Sequence, residues 1–135
     1  MRRYLLALIS LSILNACGGG TSEPEPVDAA VQGTWIATFS STTTCSLGQI
    51  AFIVTQTANG APAGSHGVYA ISCPGTPDIP VPAGTVVDWA VNGNQFSLQV
   101  TKSPLRTING TVAGGTMSGT FTWFDINGTF TATKQ

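Results

Sequence analysis

The sequence predicts an all-β domain over residues 31–135, arranged as an eight-stranded antiparallel up-and-down β-barrel. Three observations lead to this prediction. Apolar and polar residues alternate with period 2 in short segments, as in strands that bury one face. Gly, Asn and Pro residues separate these segments at turns. No stretch of the domain keeps a helical period over enough length to form a helix.

Eight segments carry the alternation and are predicted to be strands: residues 33–39, 49–56, 65–73, 85–91, 95–101, 107–112, 116–124 and 129–133. The first places Trp35, Ala37 and Phe39 on one face. The second is apolar on both faces, which predicts a strand covered on both sides.

The fourth and fifth segments predict the clearest hairpin, because the Asn-Gly step between them suits a tight turn. Its two apolar faces are predicted to pack together: Val87, Trp89 and Val91 against Phe96, Leu98 and Val100. Asp88 alternates with these residues and is expected to face solvent. Residues 74–84 contain four prolines, which exclude a central strand, so a long loop is predicted there.

Eight strands with mostly short connections suit an antiparallel meander, which can close into a barrel without exposed edges. A two-sheet β-sandwich built from the same strands is the alternative. Gly110, Gly119 and Gly128 lie within or beside strands, where a sharp bend or a close backbone approach is needed. Barrels need such bends, and the barrel is therefore favoured.

Residues 1–16 have the marks of a secretory signal peptide: Arg2 and Arg3, a short apolar run over residues 5–14, and a small residue at the cut. Ten helical residues rise only about 15 Å, against about 30 Å of hydrocarbon. The run is therefore too short to remain as a membrane span.

The run ends in Leu14-Asn15-Ala16-Cys17, which resembles the lipobox of bacterial lipoproteins. The resemblance implies cleavage before Cys17, lipid on that cysteine, and a membrane as partner through the lipid anchor. Gly18 stands where enterobacteria-like sorting places the aspartate that retains lipoproteins at the inner membrane, which implies the outer membrane. An ordinary signal peptide with a chance cysteine is the alternative.

Residues 17–30 hold several Gly and Pro residues, three acids and little apolar mass, which predicts a disordered linker. The thirteen residues after Cys17 span at most about 45 Å when extended. Once Cys17 carries lipid, Cys45 and Cys73 form an even pair in an oxidising compartment, and a disulfide is predicted between them. A two-cysteine metal site is the rival interpretation, but it lacks nearby His or paired acids.

The composition of the domain excludes several classes of function. Its charges nearly cancel, three Asp against three Lys and Arg, and no basic stripe is present, so nucleic acid is not a predicted partner. The domain contains no Glu, its three Asp residues are scattered, and His66 is its only histidine. No catalytic group, metal site or cofactor is therefore predicted, and an enzyme is not expected.

Four aromatic residues with polar ring atoms are the candidate ligand-binding residues: Trp35, Tyr69, Trp89 and Trp123. A barrel could bring some of them to one end, where such side chains line small-molecule cavities. The alternative is that they fill the core of a small barrel.

Short motifs resemble calycin barrels. Gly33-Thr34-Trp35 is similar to the Gly-x-Trp that opens lipocalin and avidin-like chains. Gly119-Thr120-Phe121 and Gly128-Thr129-Phe130 resemble parts of the closing strands of small calycin-like lipoproteins. The resemblance implies a lipocalin-like barrel. The polar residues with which avidins bind biotin have no position-by-position match, so biotin binding is not implied.

The Gly-x-Trp followed by Cys45 and Cys73 also resembles small periplasmic metalloprotease inhibitors, which are eight-stranded barrels with one disulfide. Those inhibitors insert the residues before the barrel into the protease cleft. Here that stretch belongs to the linker, and the cysteine spacing is longer.

Two functions follow as expectations. The first is a non-catalytic, lipid-anchored envelope lipoprotein whose barrel binds a small apolar or aromatic ligand. The second is a protein–protein interaction or protease-inhibitor-like domain with a solid core, in which the loop at residues 74–84 contacts an envelope protein.

Overall fold

The computed structural model describes residues 31–102 and 105–135 and confirms the all-β prediction. Within these residues twelve strands follow one another: β1 Gly33–Ser41, β2 Ser46–Leu47, β3 Ile50–Gln56, β4 Pro62–His66, β5 Tyr69–Ser72, β6 Ile79–Val81, β7 Gly84–Thr85, β8 Asp88–Asn92, β9 Gln95–Lys102, β10 Leu105–Ala113, β11 Thr116–Trp123 and β12 Ile126–Lys134. The predicted signal peptide, Cys17 and the linker at 17–30 lie outside the described residues.

Nine of the strands form one antiparallel sheet in the order β7-β4-β3-β1-β12-β11-β10-β9-β8. At its centre the first and last strands pair, from Trp35 opposite Lys134 at one end to Ser41 opposite Gly128 at the other. The remaining three strands form a small sheet in the order β2-β5-β6.

The prediction of a closed eight-stranded barrel is wrong: the large sheet is a curled half-barrel. The predicted strand at 65–73 breaks at Gly67 and Val68, where Val68 is 73% exposed. Its first half remains in the large sheet as β4, and its second half leaves as β5 for the small sheet. The described strands therefore form two sheets, of nine and three strands.

The predicted strand at 85–91 also divides, and its halves lie on opposite edges of the large sheet. The Val86 N–H donates to Gly64 O (2.9 Å) on one edge, and the Val87 N–H donates to Gln99 O (2.8 Å) on the other. This crossing corrects the predicted hairpin face, since Val86 is buried and Val87 is 41% exposed. The rest of that hairpin is confirmed, with Trp89 opposite Leu98 and Asp88 exposed.

Apolar side chains on the concave face of the curled sheet fill its interior. The cavity that remains among them has a volume of about 10 Å³. That is room for about one water molecule. The domain therefore has a solid core.

Close backbone approach explains the two glycines that face each other across β10 and β11. Gly110 and Gly119 are directly opposite in the register, and a Cβ on Gly119 would collide with Asn109 O and Gly110 Cα. This confirms the role that the sequence predicts for glycine inside strands.

The predicted disulfide between Cys45 and Cys73 is confirmed. The two cysteines stand next to the pair formed by Ser46 and Ser72, where β2 meets β5. The bond therefore links β2 to β5 within the small sheet.

Candidate functional site

The four aromatic residues predicted to bind a ligand are all buried, with 1% of Trp35, 6% of Tyr69, 3% of Trp89 and none of Trp123 exposed. Each indole N–H has an acceptor inside the protein. Trp35 donates to Val31 O (2.7 Å), and Trp89 donates to both Thr55 O (2.8 Å) and Ala63 O (3.0 Å).

The structure brings two of the four together. The Trp123 indole N–H donates to the Tyr69 hydroxyl oxygen (2.7 Å), and the ring centroids lie 5.6 Å apart in an edge-to-face contact. Within the described part of the chain, no ring pair joins Trp35 or Trp89 to these two. Tyr69 and Trp123 are core residues at one end of the domain, where the Tyr69 hydroxyl also accepts a hydrogen bond from Arg106.

An apolar groove of about 460 Å³ lies at that end, between the small sheet and the β11–β12 turn. Its lining comes from three places in the chain: Cys45, Ile71 and Cys73 beside the disulfide, Ile79, Pro80, Val81 and Pro82 on and after β6, and Arg106, Phe124, Asp125 and Ile126 on the opposite side. Its volume is in the range of ordinary ligand sites.

The proline-rich segment supplies one wall of the groove. Residues 79–81 form β6, a short edge strand that pairs with β5, so the prediction of a loop throughout 74–84 is corrected. Edge strands are where proline is tolerated in a sheet. Ile79 is 54% exposed on this wall.

Phe124 forms part of the opposite wall in a strained conformation. Trp123 pairs with Ile126, so Phe124 and Asp125 make the two-residue turn between β11 and β12. The φ angle of Phe124 is 59°, in the left-handed region that a bulky residue rarely adopts. Its ring is nevertheless 39% exposed at the groove. Strain of this kind is held in place by surrounding structure and is often found at functional sites.

Arg106 is the cation of the groove. Its Nη1 donates to the Tyr69 hydroxyl (3.2 Å), and its guanidinium carbon lies 4.2 Å from the centre of the Phe124 ring. A β-bulge beside it shifts the register between β10 and β9 at Arg106 and Thr107. Bulges of this kind re-aim side chains near binding sites.

The guanidinium group is incompletely satisfied. Its Nε is buried and has no hydrogen-bond partner, and Arg106 forms no ion pair with the described residues. Asp125 lines the same groove but is exposed at its rim. A buried donor without an acceptor costs about 1–3 kcal/mol.

The Tyr69 hydroxyl lies behind the groove lining, where it accepts the hydrogen bond from Arg106. Burial raises its pKa above the usual value near 10, while the hydrogen bond from Trp123 and the charge of Arg106 partly lower it. The phenol therefore stays neutral at physiological pH and accepts two hydrogen bonds.

The described residues contain no group of three His, Cys, Asp or Glu side chains that could hold a metal ion. His66 is buried, its Nδ1 lies 3.0 Å from Gly67 O, and its ring packs edge to face on Tyr69. No helix within residues 31–102 and 105–135 is long and apolar enough to cross a membrane.

Comparisons with protein-family models, with curated proteins and with solved structures found no match. Sequence reasoning missed Arg106 and Phe124, yet both carry a signal. Arg106 precedes the buried Ile108 by two residues, so strand alternation places its charge on the apolar face. Phe124 is a large apolar residue out of phase with the buried Phe121 and Trp123.

Proposed function

We propose that this protein is a non-catalytic, lipid-anchored lipoprotein of the cell envelope that binds a small apolar or aromatic ligand. The proposed site is the surface groove between β6 and the β11–β12 turn, rather than the interior of the sheet. One observation carries this choice: the interior leaves about 10 Å³, whereas the groove offers about 460 Å³ with apolar side chains open to solvent.

The exposed side chains of the groove fit such a ligand. Ile79 and Phe124 remain 54% and 39% exposed on opposite walls. A ligand that covers these side chains removes apolar area from water, which favours binding by about 25 cal/mol for each Å² buried. The four aromatic candidates are parts of the core, and Tyr69 and Trp123 support the groove from behind through the hydrogen bonds that join Arg106, Tyr69 and Trp123.

Binding of a neutral aromatic probe tests the groove. N-phenyl-1-naphthylamine should bind saturably with a rise in fluorescence, and Ile79→Gln should weaken it severalfold. Val68→Gln is the matched control, because Val68 is an exposed apolar residue outside the groove lining. Absence of saturable binding, or equal affinity of the two variants, rejects the groove as the ligand site.

The anchor is a separate part of the proposal and rests on the lipobox resemblance at Cys17. We propose the outer membrane as the location, because Gly18 replaces the retention aspartate. Cys17→Ser should move the protein from the membrane fraction to the aqueous fraction. Retention of this variant in the membrane fraction contradicts the lipid anchor.

A protein–protein interaction domain is the second candidate, and the solid core favours it. In that case the same exposed walls contact an envelope protein. Pull-down from an envelope extract tests it by comparing the wild type with Ile79→Gln, with Val68→Gln as control. Capture of one partner by the wild type and the control, but not by Ile79→Gln, supports this second function.

A further inference from the structure

Arg106 is a half-buried cation in the groove lining. Within the described part of the chain it forms no ion pair. Charged groups inside proteins are ordinarily paired, since removing them from water is costly. The anionic group of a ligand in the groove would supply such a pair.

The guanidinium is held ready for such a partner. The Tyr69 hydroxyl accepts from Nη1, and the guanidinium carbon lies 4.2 Å from the centre of the Phe124 ring. Carboxylates pair with arginine through the N–H groups at the edges of the planar guanidinium. Nε lacks an acceptor and has almost no contact with solvent, so bulk water does not satisfy it.

We propose that the ligand of the groove is a small monocarboxylate, in which one carboxylate is joined to an apolar or aromatic body. This inference rests on the proposed function above. The carboxylate pairs with the Arg106 guanidinium, and the body lies against Ile79 and Phe124. The exposed carboxylate of Asp125 at the rim disfavours a second negative charge on the ligand.

The edge of the small sheet argues for a small molecule over an extended peptide. Peptides commonly bind by adding a strand to a free sheet edge through main-chain hydrogen bonds. Here β6 contains Pro80 and is followed by Pro82, and neither residue has an N–H to donate. Proline on an edge strand is a common protection against strand addition.

A matched pair of ligands tests the inference without any mutation. The full chain in lipid nanodiscs is titrated with 4-phenylbutyrate and with its neutral amide, and empty nanodiscs correct for partition into lipid. A hydrogen bond to a charged group contributes about 1.5–3 kcal/mol. The acid should therefore bind roughly tenfold to a hundredfold more tightly than the amide.

Two variants locate the charge that causes the preference. Arg106→Gln should bring the affinity for the acid close to that for the amide and leave the amide unchanged. Asp125→Asn should strengthen binding of the acid only. Retention of the acid preference in Arg106→Gln overturns the assignment to this residue.

The outcomes separate this inference from the proposed function. If acid and amide bind with equal affinity and Ile79→Gln weakens both, the inference of a carboxylate ligand is overturned, while the groove remains the site of an apolar ligand. Failure of both ligands and of the neutral naphthylamine probe overturns the proposed function itself. Much tighter binding of a short peptide ending in Phe than of 4-phenylbutyrate overturns the choice of a small molecule.

Discussion

At position 124, a glycine variant should be more stable than an alanine variant, which is the reverse of the usual order of stability. In an ordinary strand or helix, Gly is less stabilising than Ala by about 0.5–1 kcal/mol. Phe124 has a φ angle of 59°, where a side chain on Cα is strained and Gly is not. A left-handed residue other than Gly costs about 1–2 kcal/mol. We therefore expect Phe124→Gly to be more stable than Phe124→Ala by about 1 kcal/mol.

Both variants should be less stable than the wild type, because both lose the ring. An aromatic side chain buries about 200 Å² when fully covered, and 39% of Phe124 is exposed. The lost area is then about 120 Å², which corresponds to about 3 kcal/mol at 25 cal/mol per Å². Alanine loses this amount with the strain retained, whereas glycine recovers part of it.

Urea unfolding of the full chain followed by Trp fluorescence measures the order. The matched control is Ile53, which is 43% exposed in the middle of β3. There Ile53→Ala should be more stable than Ile53→Gly. If alanine is equal or superior to glycine at position 124 as well, the argument from strain is refuted.

Three further perturbations test other parts of the structure. Changing both Cys45 and Cys73 to Ser opens a loop of sequence separation 28 and should lower the free energy of unfolding by about 3–4 kcal/mol. The reduced wild type should unfold at the same urea concentration as this variant. A large difference between these two urea midpoints would contradict the explanation by loop entropy. Trp89→Phe removes the N–H that donates to the carbonyl groups of Thr55 and Ala63, and it should lower the free energy of unfolding by about 1–3 kcal/mol. Amide hydrogen exchange should then be fastest at residues 86–89. Unchanged exchange at these residues would show that the indole does not link the two sheet edges. Since burial raises the pKa of Tyr69 in the folded state, its neutral form contributes stability that is complete below about pH 10 and lost as the pH rises through the folded pKa. The difference in unfolding free energy between the wild type and Tyr69→Phe should therefore shrink between pH 9 and pH 12, and a constant difference would show that the phenol does not titrate differently on folding.

Local sequence patterns predict most of the strands but not how the sheets assemble. The alternation of Trp35 and Ala37 depends on near neighbours and appears in the structure as predicted. The tight turn after β8 also appears, although its two residues are Gly93 and Asn94, because Asn92 pairs with Gln95. The division of 65–73 depends on where β5 finds a partner, and that partner is a two-residue strand tied by the disulfide. A strand of two residues is too short to show the alternation of apolar and polar residues from which strands are predicted.

The groove was beyond prediction for a related reason. Its walls come from β6, from Arg106 and from the turn at Phe124, which are far apart in the chain and meet only through the packing of the small sheet. The four predicted aromatic residues do not line it, although Tyr69 contacts the lining residue Arg106. Whether an aromatic residue faces a cavity or fills a core depends on space, and composition does not report space.

The pairing at the centre of the large sheet sets the direction from the start of the domain to the groove, which matters for the proposed lipid anchor. The chain comes into the sheet beside Trp35, opposite Lys134, while the groove opens beside Ile126 at the other end of β12. Eight residue steps along a strand cover about 27 Å. If lipid on Cys17 holds the Trp35 end toward the anchoring leaflet, the groove points away from that leaflet. Its cargo would then arrive from the aqueous side of the envelope, and lateral transfer from the surrounding lipid would require the domain to turn over on its tether.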